Sequence, residues 1–152
     1  GTEVKLPEIP EKEVEPVGAA KTIEEILKEL GKDVRLAREG VNHWSVKEGS
    51  ARIKITYNAE NFFIAGDAYL CQIPSDPAKI KALYQYLLQE NFRTRGLVLS
   101  CMQQNIVLSR IIYDLDMTRE NGAAAFRELF QQADHYDDYL KNEFGCVDRL
   151  EE

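Results

Sequence analysis

From residue 75 to 92 the chain reads SDPAKIKALYQYLLQENF, and Ile80, Leu83, Tyr84, Leu87 and Leu88 fall at the i, i+3, i+4, i+7, i+8 spacing of an amphipathic helix. Asp76 stands at the N-cap position and Pro77 at the first helical position. A longer helix is predicted over 118–144, with Phe126, Leu129, Phe130, Ala133, Tyr136, Leu140 and Phe144 along one side. At about 1.5 Å per residue it spans roughly 40 Å, the length of a whole domain. A shorter first helix is predicted over about 22 to 30. Thr22 and Glu25 have the form of a capping box, Ile23, Ile26, Leu27 and Leu30 make the stripe, and Gly31 closes it.

Between these helices the period changes from helical to alternating. VRLARE (34–39) and HWSVKE (43–48) read as strands separated by Gly40, and RIKITY (52–57) alternates Ile53, Ile55 and Tyr57 with Arg52, Lys54 and Thr56. FFIAGDAYLCQIP (62–74) is apolar on both parities, which suggests a central strand or one with a bulge near Gly66. LVLSCM (97–102) and IVLSRIIYD (106–114) form a second hairpin across QQN. The order is helix, three or four strands, helix, two strands, long helix. Strands that arrive as hairpins predict an α+β fold, a largely antiparallel sheet with helices on one face.

Residues 1–17 hold three of the five prolines and many glutamates without an apolar period, so they are expected to be a disordered arm preceding one domain over 18–152. At 152 residues with 44% apolar content, one core is expected. The net charge of −7 disfavours phosphate backbones and anionic membrane surfaces, so no nucleic-acid or membrane partner is expected. No apolar run approaches the ~20 residues of a membrane span. Cys71, Cys101 and Cys146 are widely spaced, without a CxxC or an adjacent His, and read as reduced thiols of a cytoplasmic protein.

Chemistry-bearing motifs are sparse. Asp134, His135, Asp137 and Asp138 sit within about one helical turn but supply too few oxygens for a hard cation, and nothing upstream completes a metal site. Asp114, Asp116 and Thr118 start like a calcium loop, yet Arg119 stands where that loop needs Gly and Ala125 where it needs Glu; Asp116 or Thr118 is better read as a helix cap. His43 and His135 are the only histidines, Ser45, Ser100 and Ser109 have no nucleophile signature, and no phosphate-cradling glycine pattern occurs. No catalytic residue, cofactor or metal is therefore assigned. What remains is aromatic: Trp44, Tyr57 and Phe63 lie in a sheet segment with more aromatic surface than one helical layer covers, and are the candidate protein-binding residues.

The run from ARIKITYNAENFFIAGDAYLCQIP through LYQYLLQENF and NIVLSRIIYDLDMT to FRELFQQADHYDDYL resembles the YbjN family of bacterial sensory transduction regulators, which share the type III secretion chaperone fold. The resemblance covers about residues 20 to 144 and implies a small, acidic, often dimeric protein without catalytic residues. The expectation is a non-catalytic, chaperone-like module that binds a partner polypeptide, as a homodimer. The alternative is a small-molecule or metal-binding regulator, or an enzyme, using a pocket near His135 and Asp138.

Overall fold

A computed structural model describes residues 15–150. The predicted arm over 1–17 lies outside the described residues except for its last three. The first helix, α1 (Ala19–Glu29), starts earlier than the capping box implied: Gly18, at φ 61°, is the N-cap, and Thr22 lies inside the helix with its hydroxyl donating to the Gly18 carbonyl at 3.4 Å. Its end is as predicted. Gly31 adopts φ 82°, and the Gly31 and Lys32 N–H groups donate to the Lys28 and Leu27 carbonyls, satisfying two of the orphan acceptors of the last turn.

VRLARE is not a strand. The Asp33 carboxylate accepts from the Arg35 and Leu36 N–H groups and starts a one-turn helix, α2 (Val34–Ala37), which buries Val34 and Ala37. Only β1 (Arg38–Gly40) follows, and then β2 (His43–Glu48), β3 (Ala51–Asn58) and β4 (Phe63–Gln72) form a meander. Helix α3 (Pro77–Thr94) opens on Asp76, whose side chain accepts from the Ala78 N–H at 3.0 Å. The hairpin β5 (Val98–Met102) and β6 (Asn105–Tyr113) leads through a 3-10 turn at Asp114–Asp116 into α4 (Arg119–Phe144). There the Thr118 hydroxyl accepts from the Asn121 N–H at 3.0 Å. A short β7 (Val147–Asp148), not foreseen from the pattern, pairs with the end of β4.

Every strand pairing is antiparallel, in the order β1-β2-β3-β4-β6-β5. Helix α4 lies across β4 and its neighbours, with α1 against one side and α3 against the other, over β5. The predicted α4 stripe is the core: Phe126, Leu129, Phe130, Ala133, Tyr136 and Leu140 are buried against Ile53, Ile55, Ile64, Ala68 and Leu108. Full burial of each large apolar side chain is worth roughly 1.5–3 kcal/mol.

Two expectations need correction. Gly66 is not at a bulge; it pairs in register with Ile55 and Arg110, and the irregularity falls between Tyr69 and Gln72. A Cβ at Gly66 would stand 2.7 Å from a Leu129 methyl, so glycine here lets α4 approach the sheet. Helix α3 buries Leu83 and Leu87 but leaves Tyr84 and Leu88 exposed, because it packs chiefly against β5 and α4 at the sheet margin.

Candidate functional site

Because side chains alternate, the strands that bury Ile64, Ala68 and Leu108 under α4 turn Phe63, Ala65, Asp67 and Tyr69 of β4, and Ser109, Ile111 and Tyr113 of β6, to the opposite face. No helix covers that face among the described residues. Strand β6 also outruns its neighbour. Val98 pairs with Ser109, and β5 begins there, so the last four residues of β6, Arg110 to Tyr113, have β4 on one side and, among the described residues, no strand on the other. Leu99 of β5 marks the hydrogen-bonding phase, since its main-chain N–H and C=O both bond the Asn91 side chain rather than β6. That phase directs the main-chain N–H and C=O of Ile111 and Tyr113 away from β4, along the free edge.

The outer edge of β5 is different. Asn91 of α3 occupies the Leu99 donor and acceptor at 2.6 and 3.0 Å, and the Thr94 hydroxyl donates to the Leu97 carbonyl at 2.9 Å. The outer edge of the β5–β6 hairpin is thus partly closed by side chains of α3, and among the described residues the accessible edge is the end of β6.

Apolar side chains gather at that end. Ile111 is 55% exposed, Tyr113 60%, and Leu115 in the 3-10 turn 96%. Phe62 is 63% exposed and holds φ 56°, a conformation rare for a bulky residue and costing of order 1 kcal/mol or more. Its carbonyl accepts from the Asp114 N–H at 2.8 Å, which ties the β3–β4 turn to the 3-10 turn. Phe62, Tyr113 and Leu115 line one concavity with Asn61, Asp114 and Asp116. A second, floored by Ala124 and Ala125 of α4 and bounded by Glu128, runs beside Arg110 to Tyr113, so the free edge borders a groove.

Of the predicted binding residues, the structure brings one to this site and a second beside it. Phe63 is half-buried on the uncovered face, in register with Tyr113. Tyr57 packs on the core side and donates its hydroxyl to Asp114 at 2.8 Å, positioning the 3-10 turn. Trp44 is not on the surface: at 1% exposure it lies under the helices, and its indole N–H donates to the Glu24 carboxylate at 3.0 Å. That carboxylate also accepts two hydrogen bonds from Arg38, each 2.5 Å. Burial pushes the Glu24 carboxyl up, but the bonds from Arg38 and Trp44 outweigh it and hold it below its ordinary value. Phe62, Ile111, Tyr113 and Leu115 were missed. The odd-numbered apolar positions of RIIYDL were the available signal, but only the covered face tells which parity stays outside.

In the acidic segment of α4, Asp134, His135 and Asp138 are exposed as a polar face. Asp137 is not part of that face. It is buried and held by Lys141 at 3.2 Å and by the Ser50 hydroxyl. Among the described residues no group of three or more His, Cys, Asp or Glu side chains is placed to hold a metal ion, and no helix is long and apolar enough to cross a membrane.

One antiparallel sheet with its helices on a single face, a meander before α3 and a hairpin before α4, is the α+β fold of type III secretion chaperones. The ExsC–ExsE complex matches with a TM-score of 0.62 over 83% of this chain and 97% of that one, at 14% identity. YbjN from E. coli matches with 0.58 over 83% and 93%, at 15% identity. The Yersinia pestis type III secretion chaperone SycH, in complex with a stable fragment of YscM2, matches with 0.53 over 75% and 95%, at 16% identity. No family model matches the sequence, and no curated protein does.

Proposed function

We propose that this protein is a non-catalytic, cytoplasmic interaction module that binds an extended segment of a partner polypeptide by adding it to the free edge of β6. The observation that carries this reading is the unpaired end of β6, Arg110 to Tyr113, set between an exposed apolar cluster and the groove on Ala124 and Ala125. A strand added there takes hydrogen bonds from Ile111 and Tyr113, while its alternate side chains fall on Tyr113 and on the alanine floor. Support also comes from the similar chains ExsC and SycH, both solved with protein partners. In the same reading two copies pair through Leu88 and Phe92 of α3 and Val98 and Met102 of β5, exposed apolar residues at the margin that Asn91 closes to strand pairing.

The test is selection of a random peptide library on the purified protein. Ile111→Pro removes a donor that points away from β4, so the core ladder is untouched. Selected peptides should be extended and apolar, and Ile111→Pro or Tyr113→Asp should weaken them by about 1–2 kcal/mol or more, the worth of a good anchor. Unchanged binding by both variants would refute edge addition. A light-scattering mass equal to the 17.4 kDa chain would refute the homodimer.

A further inference from the structure

We propose that the uncovered face of the sheet carries, at the end away from the β6 edge, a binding site for the carboxylates of an acidic peptide segment. It rests on the interaction-module reading and names a class of partner sequence. A depression of about 410 Å³ lies over β3 and β4 next to the β5–β6 turn, and Arg52, Lys54 and Arg149 converge on it.

These cations are positioned but not neutralised. Arg52 Nη1 is 3.4 Å from the Ser45 hydroxyl, and Lys54 Nζ stands 5.8 Å over the Tyr69 ring. Arg149 donates through Nη1 to the Leu150 carbonyl at 3.4 Å, and its Nε is buried with no hydrogen-bond partner among the described residues. None of the three forms an ion pair among the described residues. Two carboxylates are near: Glu39 lines the same depression, and Asp67, opposite Lys54 in register, accepts from Ser109 at 2.6 Å. Set against these two carboxylates, the three cations leave an excess of one positive charge in a half-buried concavity, which favours an incoming anion. In a chain of net charge −7 such a convergence marks a local surface for an anionic partner.

Spacing favours a peptide over a small anion. Arg52 and Lys54 are two residues apart on one face of β3, about 6.5 Å, which is the separation of alternate side chains on an extended segment. The Asn105 side-chain oxygen, also buried without a partner among the described residues, and the Gln103 amide offer groups for a peptide main chain.

The probe is a fluorescein-labelled decapeptide alternating Glu and Thr, followed by anisotropy at low salt, with a Gln-for-Glu peptide as control. The Glu peptide should bind, the control about tenfold more weakly or worse, and Arg52→Gln with Lys54→Gln should lose about tenfold, the scale of one charge-assisted contact. An unchanged melting curve confirms that the double variant is folded. Equal binding by the double variant, equal binding of the Gln peptide, or displacement by inorganic phosphate at concentrations where chloride has no effect would overturn the proposal. Ile111→Pro should leave this probe unaffected. Loss of the acidic site with edge binding intact therefore sinks only this inference, whereas loss of edge binding sinks the reading beneath it.

Discussion

Replacing Glu24 by Gln tests the account of the α1–β1–β2 junction, because the change keeps size and shape and removes only a charge. Arg38 and Glu24 have side-chain exposures of 7% and 6%, so the guanidinium has little water to turn to when this carboxylate goes, and the exposed Glu15 carboxylate 4.0 Å away is a weaker counter-charge. The substituted amide also turns an N–H₂ group toward donors already in place. Two charge-assisted bonds from Arg38 are lost or weakened, along with part of the Trp44 bond. Breaking one partner of a buried pair costs about 3–5 kcal/mol. For a domain of this size each kcal/mol moves the melting temperature by roughly 2–4 °C, so Glu24→Gln should melt about 6 °C lower or more. The assay is urea unfolding followed by circular dichroism, with Glu29→Gln as control. Glu29 lies 3.9 Å from Arg119 at an exposed site, and losing that pair should cost under about 1 kcal/mol. Replacing both partners, Glu24→Leu with Arg38→Met, should recover part of the loss, since no buried charge is then left alone. A cost for Glu24→Gln within about 1 kcal/mol of the control would refute the reasoning.

Glu90 gives a pH prediction: hydrogen bonds from Arg93, resisted by burial and helped by Tyr136 and Tyr86, bring its carboxyl down to about 2 from an ordinary 4.5. Its stabilisation is therefore complete above the ordinary value and lost as pH falls from there toward 2, and melting temperatures across that range should fall less steeply in Glu90→Gln. Gly66→Ala should destabilise by about 1–3 kcal/mol in thermal denaturation, since its methyl would meet Leu129 at 2.7 Å. Changing Asp134 and Asp138 to Asn should leave partner binding and chelator sensitivity unaltered in a pull-down, both side chains lying on the solvated face of α4. Deleting residues 1–14 should shift the melting temperature by no more than about 2 °C, the segment having no apolar period with which to dock.

The helices were legible where the local rule and the final packing agree. Asp76 caps α3 as read, Thr118 caps α4 where the sequence left Asp116 or Thr118, and the stripe from Phe126 to Leu140 is the core face, because one 3.6-residue period with its caps suffices to define a long helix. Hairpin order likewise implied an antiparallel sheet. Short-range chemistry misled where two rules competed: the Asp33 cap overrode the strand read at Val34–Ala37, and Gly18 took the capping place assigned to Thr22. Tertiary structure alone decided which sheet face is covered. Strand alternation says that Trp44 shares a side with Val46, and Ile111 with Tyr113, but not which side α4 will lie on; that depends on contacts far apart in sequence. Burial of Trp44 on Glu24 and exposure of Tyr113 are consequences of that one choice. The free end of β6 has the same origin, since a strand's edge is open or closed according to where a neighbour stops, and β5 begins opposite Ser109.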